Sequence, residues 1–170
     1  MKRRQLLALI AAAPLLPAIS ACSPNAADDL VGSSLPELVL PDLGGRMTSS
    51  RDFPGKAMLI NVWATWCQPC RAEMAGLDRL YRSLSPQGLQ LLGVSVDEDM
   101  NLVREYVRQA GVSFPVLSDP KGKKTKTIIG TSAVPVSLLV ARDGRVQRVV
   151  VGERGWDDGE ARAWVSGLLG

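Results

Sequence analysis

Asn61-Val62-Trp63-Ala64-Thr65-Trp66-Cys67-Gln68-Pro69-Cys70-Arg71-Ala72-Glu73 decides how the rest of the chain is read. Its first residues finish an apolar run, Ala57 to Trp63, of strand length and of the kind buried on both faces of a sheet. Its last residues open a helix, because Met74, Leu77, Leu80, Tyr81 and Leu84 recur at spacings of three and four. Pro86 and Gly88 end that helix. The two cysteines fall where strand hands over to helix. Residues three apart on a helix share a face, so the two sulfurs can reach disulfide geometry. Cys67 falls at the helix start, where unpaired N–H groups and the dipole favour an anion. A thiolate is the reactive form of cysteine, so this position activates Cys67. Pro69 suits a first helical turn, having no N–H to lose.

Other uses of the pair fit less well. A zinc site needs four ligands, and the chain has three cysteines and no histidine. A c-type haem site needs a histidine after the second cysteine, where Arg71 stands. Without histidine there is also no Ser–His–Asp or Cys–His catalysis. No metal and no cofactor are therefore expected. A static disulfide stays open in an oxidising compartment, although so short a loop constrains the unfolded chain little. In redox exchange, Cys67 attacks a partner's disulfide and Cys70 resolves the mixed disulfide.

Outward from the motif, Leu89 to Val96 reads as a second apolar strand, and Val103, Tyr106, Val107 and Ala110 as a helix stopping at Gly111. Phe114 to Leu117 is a short strand, and Lys121 to Ile129 is poorly periodic. Val136 to Val140 and Val146 to Val151 are strands joined through Asp143-Gly144, a hairpin signal. Trp156 to Leu169 closes the chain as a helix, with Asp157 as its cap and Glu160 answering. Ahead of the motif, Leu38 to Leu40 and Arg46 to Thr48 flank Gly44-Gly45 as an N-terminal hairpin. The order predicts an α/β domain over 35–170, with a parallel core sheet, an antiparallel edge and flanking helices. A length of 170 residues with 46% hydrophobic content supports one globular domain.

The N-terminus reads as an address. Lys2-Arg3-Arg4, an apolar run from Leu6 to Ile19 and Ser20-Ala21 have the layout of a secretory signal over 1–21. The run is shorter than the ~20 apolar residues of a membrane span and holds Pro14 and Pro17. Ile19-Ser20-Ala21-Cys22 resembles the bacterial lipobox, which implies a lipid on Cys22. Arg3-Arg4-Gln5-Leu6-Leu7 loosely resembles a twin-arginine signal, so the export route stays open. Residues 22–34 then read as a flexible tether. Of the 20 basic residues, three lie in the signal, leaving 17 against 17 acidic ones. A neutral body gives no reason to expect nucleic-acid binding. The cluster Lys121, Lys123, Lys124 and Lys126 reads as a solvated helix or turn.

The quoted motif resembles the active-site segment of the TlpA/ResA group of thioredoxin-like proteins, and the resemblance runs from about Leu35 to the C-terminus. It implies a thioredoxin-like fold, with a central mixed sheet flanked by helices and an N-terminal β-hairpin extension. It also implies thiol–disulfide oxidoreductase activity on exported proteins at the periplasmic face of the bacterial envelope, with relatives serving cytochrome c maturation. A membrane thiol-electron donor is the implied partner. Pro135 resembles the family's cis-proline, which seats the partner's backbone. Glu73 matches a glutamate that tunes the cysteines or moves a proton, though a carboxylate merely complementing the helix dipole is the plainer alternative. Asn61 stands where thioredoxin carries a buried aspartate. Trp66 is expected to flank the exposed sulfur, and Trp63 to belong to the core.

Three rivals frame this reading. A peroxiredoxin-like antioxidant enzyme needs threonine or serine three residues before its reactive cysteine, where Ala64 stands. A copper chaperone of the Sco type needs a wider cysteine spacing and a distant histidine. A structural lipoprotein with a static disulfide is the third.

Overall fold

β3 (Ala57–Trp63) is buried at every position, as its unbroken apolar run requires of a strand covered on both faces. It sits at the centre of a five-stranded sheet of order β5-β4-β3-β6-β7. The computed structural model describes residues 29–157 and 159–170. The segment read as an export signal, with Cys22, lies outside the described residues.

β4 (Leu89–Ser95) runs parallel to β3, pairing Ala57 with Leu89 and Trp63 with Ser95. β5 (Val116–Ser118) continues the parallel side. β6 (Val136–Val140) runs antiparallel to β3, with Val62 opposite Val136 and Met58 opposite Val140. β7 (Val146–Val151) folds back on β6 through the Asp143-Gly144 turn, where Gly144 takes φ +82. This topology puts the carboxyl ends of β3 and β4 and the amino end of β6 at the same end of the sheet.

Each face of the sheet has its own core. Leu59, Trp63, Leu91 and Leu139 meet α1 (Gln68–Leu84) through Met74, Leu77, Leu80 and Leu84. Val103 of α2 (Met100–Ala110) and Val165 of α4 (Gly159–Gly167) join the same cluster. On the other face, Ile60, Val62, Leu92 and Leu138 pack with Leu38, Leu40 and Ile129. Leu40 comes from β1 (Val39–Pro41), which pairs with β2 (Met47–Ser49) as a separate antiparallel hairpin. Ile129 ends α3 (Lys123–Ile129).

Three details differ from the reading of the sequence. The poorly periodic Lys stretch contains a helix, α3, between Gly122 and Gly130. Its N-terminus is made by Asp119, whose carboxylate accepts from Lys124 N, Thr125 N and Thr125 Oγ1. The last helix begins at Gly159 rather than Trp156. Trp156 is drawn into the core, and the Asp157 carboxylate receives Arg79 Nε. The packed body also reaches back before Leu35: Leu30 is buried, and Gly32 N donates to Val146 O at 2.7 Å while Val146 N donates to Ser33 O at 2.9 Å.

Candidate active site

Cys67 and Cys70 are joined as a disulfide with a Cα–Cα distance of 5.3 Å. β3 ends at Trp63, the chain turns through Ala64-Thr65-Trp66, and α1 starts at Gln68. Cys67 N donates to Ala64 O at 3.2 Å and closes that turn. Cys67 is therefore the N-cap of α1, with φ −87 and ψ 105, and its Sγ accepts the Cys70 N–H at 3.2 Å. A sulfur in this place satisfies an orphan N–H of the first turn and faces the positive end of the helix dipole. The helix dipole reaches a negatively charged Sγ better than any side chain further along α1.

Access to the two sulfurs is unequal. Cys67 keeps 6% of its surface exposed, whereas Cys70 has 0%. Trp66 stands beside Cys67 with 70% exposed, a large apolar surface left in solvent. Trp63 is fully buried instead and packs against Tyr106 at a centroid distance of 5.3 Å. The Val134–Pro135 peptide bond is cis, and Pro135 is buried immediately before β6. Its carbonyl accepts Gly152 N at 2.9 Å, and Val134 packs against the cluster that holds both cysteines.

Glu73 lies one turn into α1 and is buried, with 3% exposed. Oε1 accepts Asn61 Nδ2 at 2.6 Å, while Oε2 accepts Trp156 Nε1 at 3.0 Å and Arg154 N at 3.2 Å. Burial pushes the Glu73 carboxyl above its ordinary range, against the pull of those donors. Asn61 Nδ2 also donates to Ser137 Oγ at 3.0 Å, leaving the buried Asn61 Oδ1 without a partner.

A second buried carboxylate was not legible in the sequence. Asp97 follows β4 and accepts Thr65 N at 2.9 Å and Thr65 Oγ1 at 2.6 Å. Its only local signal was a polar pair, Ser95 and Asp97, at the carboxyl end of a parallel strand, where α/β sheets build their sites. Trp156 and Arg154 reach Glu73 from a remote part of the chain, so no local pattern marks them as its partners.

A redox-capable cysteine pair at the amino end of a helix, fed by the central strand of a mixed sheet, defines a thioredoxin-fold thiol–disulfide oxidoreductase. Residues 31–149 match the model of the AhpC/TSA family. The ResA thiol–disulfide oxidoreductase of Bacillus anthracis is 35% identical over 124 residues, which cover 73% of this chain and 71% of that protein. A Chlorobium tepidum chain described as thiol:disulfide interchange protein DsbE superposes with a TM-score of 0.76 at 28% identity, covering 82% of this chain and 98% of that one. A second C. tepidum thiol:disulfide interchange protein superposes with a TM-score of 0.70 at 27% identity, covering 82% and 97%. The chain belongs to the AhpC/TSA family and to the TlpA/ResA-like thiol–disulfide oxidoreductases.

Proposed function

We propose that this oxidoreductase reduces disulfides in exported proteins on the periplasmic face of the bacterial envelope, tethered to a membrane by a lipid on Cys22. The observation that carries the chemistry is the placement of Cys67 Sγ at the N-cap of α1, with Cys70 behind it and out of solvent. In the reduced protein, the Cys67 thiolate attacks one sulfur of a substrate disulfide. A Cys67–substrate bond forms, and the other substrate sulfur leaves and takes a proton. Cys70, as thiolate, then attacks Cys67 Sγ and expels the second substrate thiol. Two electrons pass to the substrate, and Cys67–Cys70 is left as the disulfide. A membrane thiol-electron donor restores the dithiol.

The surroundings fit this sequence of events. Trp66 offers an apolar face beside the attacking sulfur, and Pro135 offers a backbone seat for the partner. Glu73 is suited to hold the proton that Cys70 must lose: burial favours its neutral form, and Asn61 has a spare acceptor, Oδ1, for a protonated carboxyl. Apocytochromes c are the substrate class that the family resemblance suggests. Among the described residues no helix is long and apolar enough to cross a membrane.

The full chain should reduce insulin disulfides with a dithiol as electron source. Cys67→Ser should remove that activity, and Cys70→Ser should accumulate mixed disulfides visible on a non-reducing gel. Full turnover by the Cys67 variant would sink the assignment of attack to Cys67.

A further inference from the structure

Asp97 is buried, with 3% exposed, and lies outside the cysteine motif. Its carboxylate is nonetheless committed to the turn that carries Cys67. Oδ2 accepts Thr65 N at 2.9 Å and Ser95 Oγ at 2.8 Å, and Oδ1 accepts Thr65 Oγ1 at 2.6 Å. Ser95 Oγ in turn accepts Asp97 N at 3.2 Å. We propose that Asp97 is a positioning residue, which through Thr65 fixes the turn that holds Cys67 Sγ at the amino end of α1. The proposal rests on Cys67 being the attacking thiol.

Thr65 and Trp66 are the middle residues of the turn closed by Cys67 N and Ala64 O. The base of the turn is fixed by the sheet, since Val96 N donates to Trp63 O at 2.9 Å. Nothing in that ladder fixes the arm that follows. Asp97 does so by gripping Thr65 at both its backbone and its side chain. The favourable field of a helix terminus fades within the first turn, so a small swing of Cys67 changes how well its thiolate is stabilised. The same grip sets where the exposed Trp66 is displayed. A staple that only joined the ends of β3 and β4 would alter stability and leave the thiolate alone.

Thr65→Val separates these two roles. It keeps the shape and every charge and deletes only the hydroxyl that donates to Asp97 Oδ1. Thr65→Ser keeps the hydroxyl. The other charged groups on the first turns of α1, Glu73 and the Arg71 guanidinium 5.5 Å from the Tyr106 ring centroid, are untouched. The reduced full chain is alkylated with iodoacetamide across a pH series, its redox equilibrium with glutathione is measured, and its melting is followed. In Thr65→Val the alkylation midpoint should move to higher pH, and the rate at pH 7 should fall about three- to tenfold as the thiolate fraction drops. The redox equilibrium should move towards the disulfide, because a less stabilised thiolate makes a stronger reductant. Thr65→Ser should restore both readouts. Asp97→Asn is the second arm. Loss of its charge alone would lower the midpoint, whereas loss of positioning raises it. A Thr65→Val protein that melts lower with an unmoved midpoint and redox equilibrium overturns the proposal, and so does a lowered midpoint in Asp97→Asn. Failure of the underlying reading looks different: rapid alkylation would survive in Cys67→Ser.

Discussion

Glu73 ties two remote pieces of chain to one buried carboxylate: Asn61 on β3, and Arg154 with Trp156 in the segment between β7 and α4. Its elevated pKa carries a stability consequence of definite sign. The folded protein favours the protonated carboxyl more than the unfolded chain does, so folding takes up a proton between the two pKa values. The stabilisation is fully present below the unfolded value near 4.5 and is lost as pH rises through the higher folded value. Asp42, Asp78, Glu105 and Asp157 are shifted the other way, so the stability they contribute is present above their unfolded values and is lost as pH falls through their lowered folded values. Glu73→Gln does not titrate. Its unfolding free energy, from urea melts at successive pH values, should lack the decline that the unaltered protein shows just above pH 4.5. Where Glu73 is protonated it should also be lower by about 1–3 kcal/mol, because an amide NH2, unlike a carboxyl hydroxyl oxygen, cannot accept from the donor it faces. Parallel pH curves for the two proteins would remove Glu73 as the source.

At the scale of elements, the contact between β4 and the α2 side of the sheet depends on one missing side chain. A Cβ at Gly93 would lie 2.9 Å from Phe114 Cε2 and 3.2 Å from Trp63 Nε1. Gly93 also pairs with both Asn61 and Val116, so the strand cannot shift to make room. Gly93→Ala should cost about 1–3 kcal/mol as overpacking. It should lower the urea midpoint without changing the slope. A midpoint equal to that of the unaltered protein would mean that Phe114 moves freely. This glycine looks like any other in the sequence, and the reason is general. β3 and α1 were legible because their burial repeats with the period of the element itself. Cys67 and Cys70 were legible because their relation is local. α3 was not, since it buries Thr125 and Ile129 alone and owes its start to Asp119, which precedes it across a tight turn. The Asp97–Thr65 and Glu73–Trp156 contacts join residues far apart in the chain, and no periodicity records such a pairing. Trp156 falls in the span read as helix, yet its indole N–H donates to Glu73 and the helix begins at Gly159.

Across the whole molecule, the site occupies one end of the sheet and a cationic clamp occupies the other. β6 runs antiparallel to β3, so its carboxyl end and the following Arg142 lie beside the start of β3, away from Cys67. The Arg142 guanidinium donates to Gly55 O at 3.3 Å, Gln87 O at 3.2 Å and Leu169 O at 2.9 Å. Those carbonyls belong to the approach to β3, the turn into β4 and the end of the chain after α4. One side chain thus replaces the water that three loop carbonyls would otherwise need, and a planar fork of fixed donors can serve all three at once. Arg142→Ala should lower stability by about 1–2 kcal/mol, the discount from a buried charged hydrogen-bond network reflecting its solvent exposure. Arg142→Lys should recover little of this, since one ammonium cannot span three carbonyls in the same geometry. Insulin reduction and the Cys67 alkylation midpoint should not change in either variant, because the clamp touches no residue of the site. Combined with Thr65→Val, the stability losses should add within about 0.5 kcal/mol, as expected of sites with no shared partners. A larger departure from additivity would mean that the two ends of the sheet are coupled, and that the rigidity of β3 carries strain from the loop clamp to the cysteine turn.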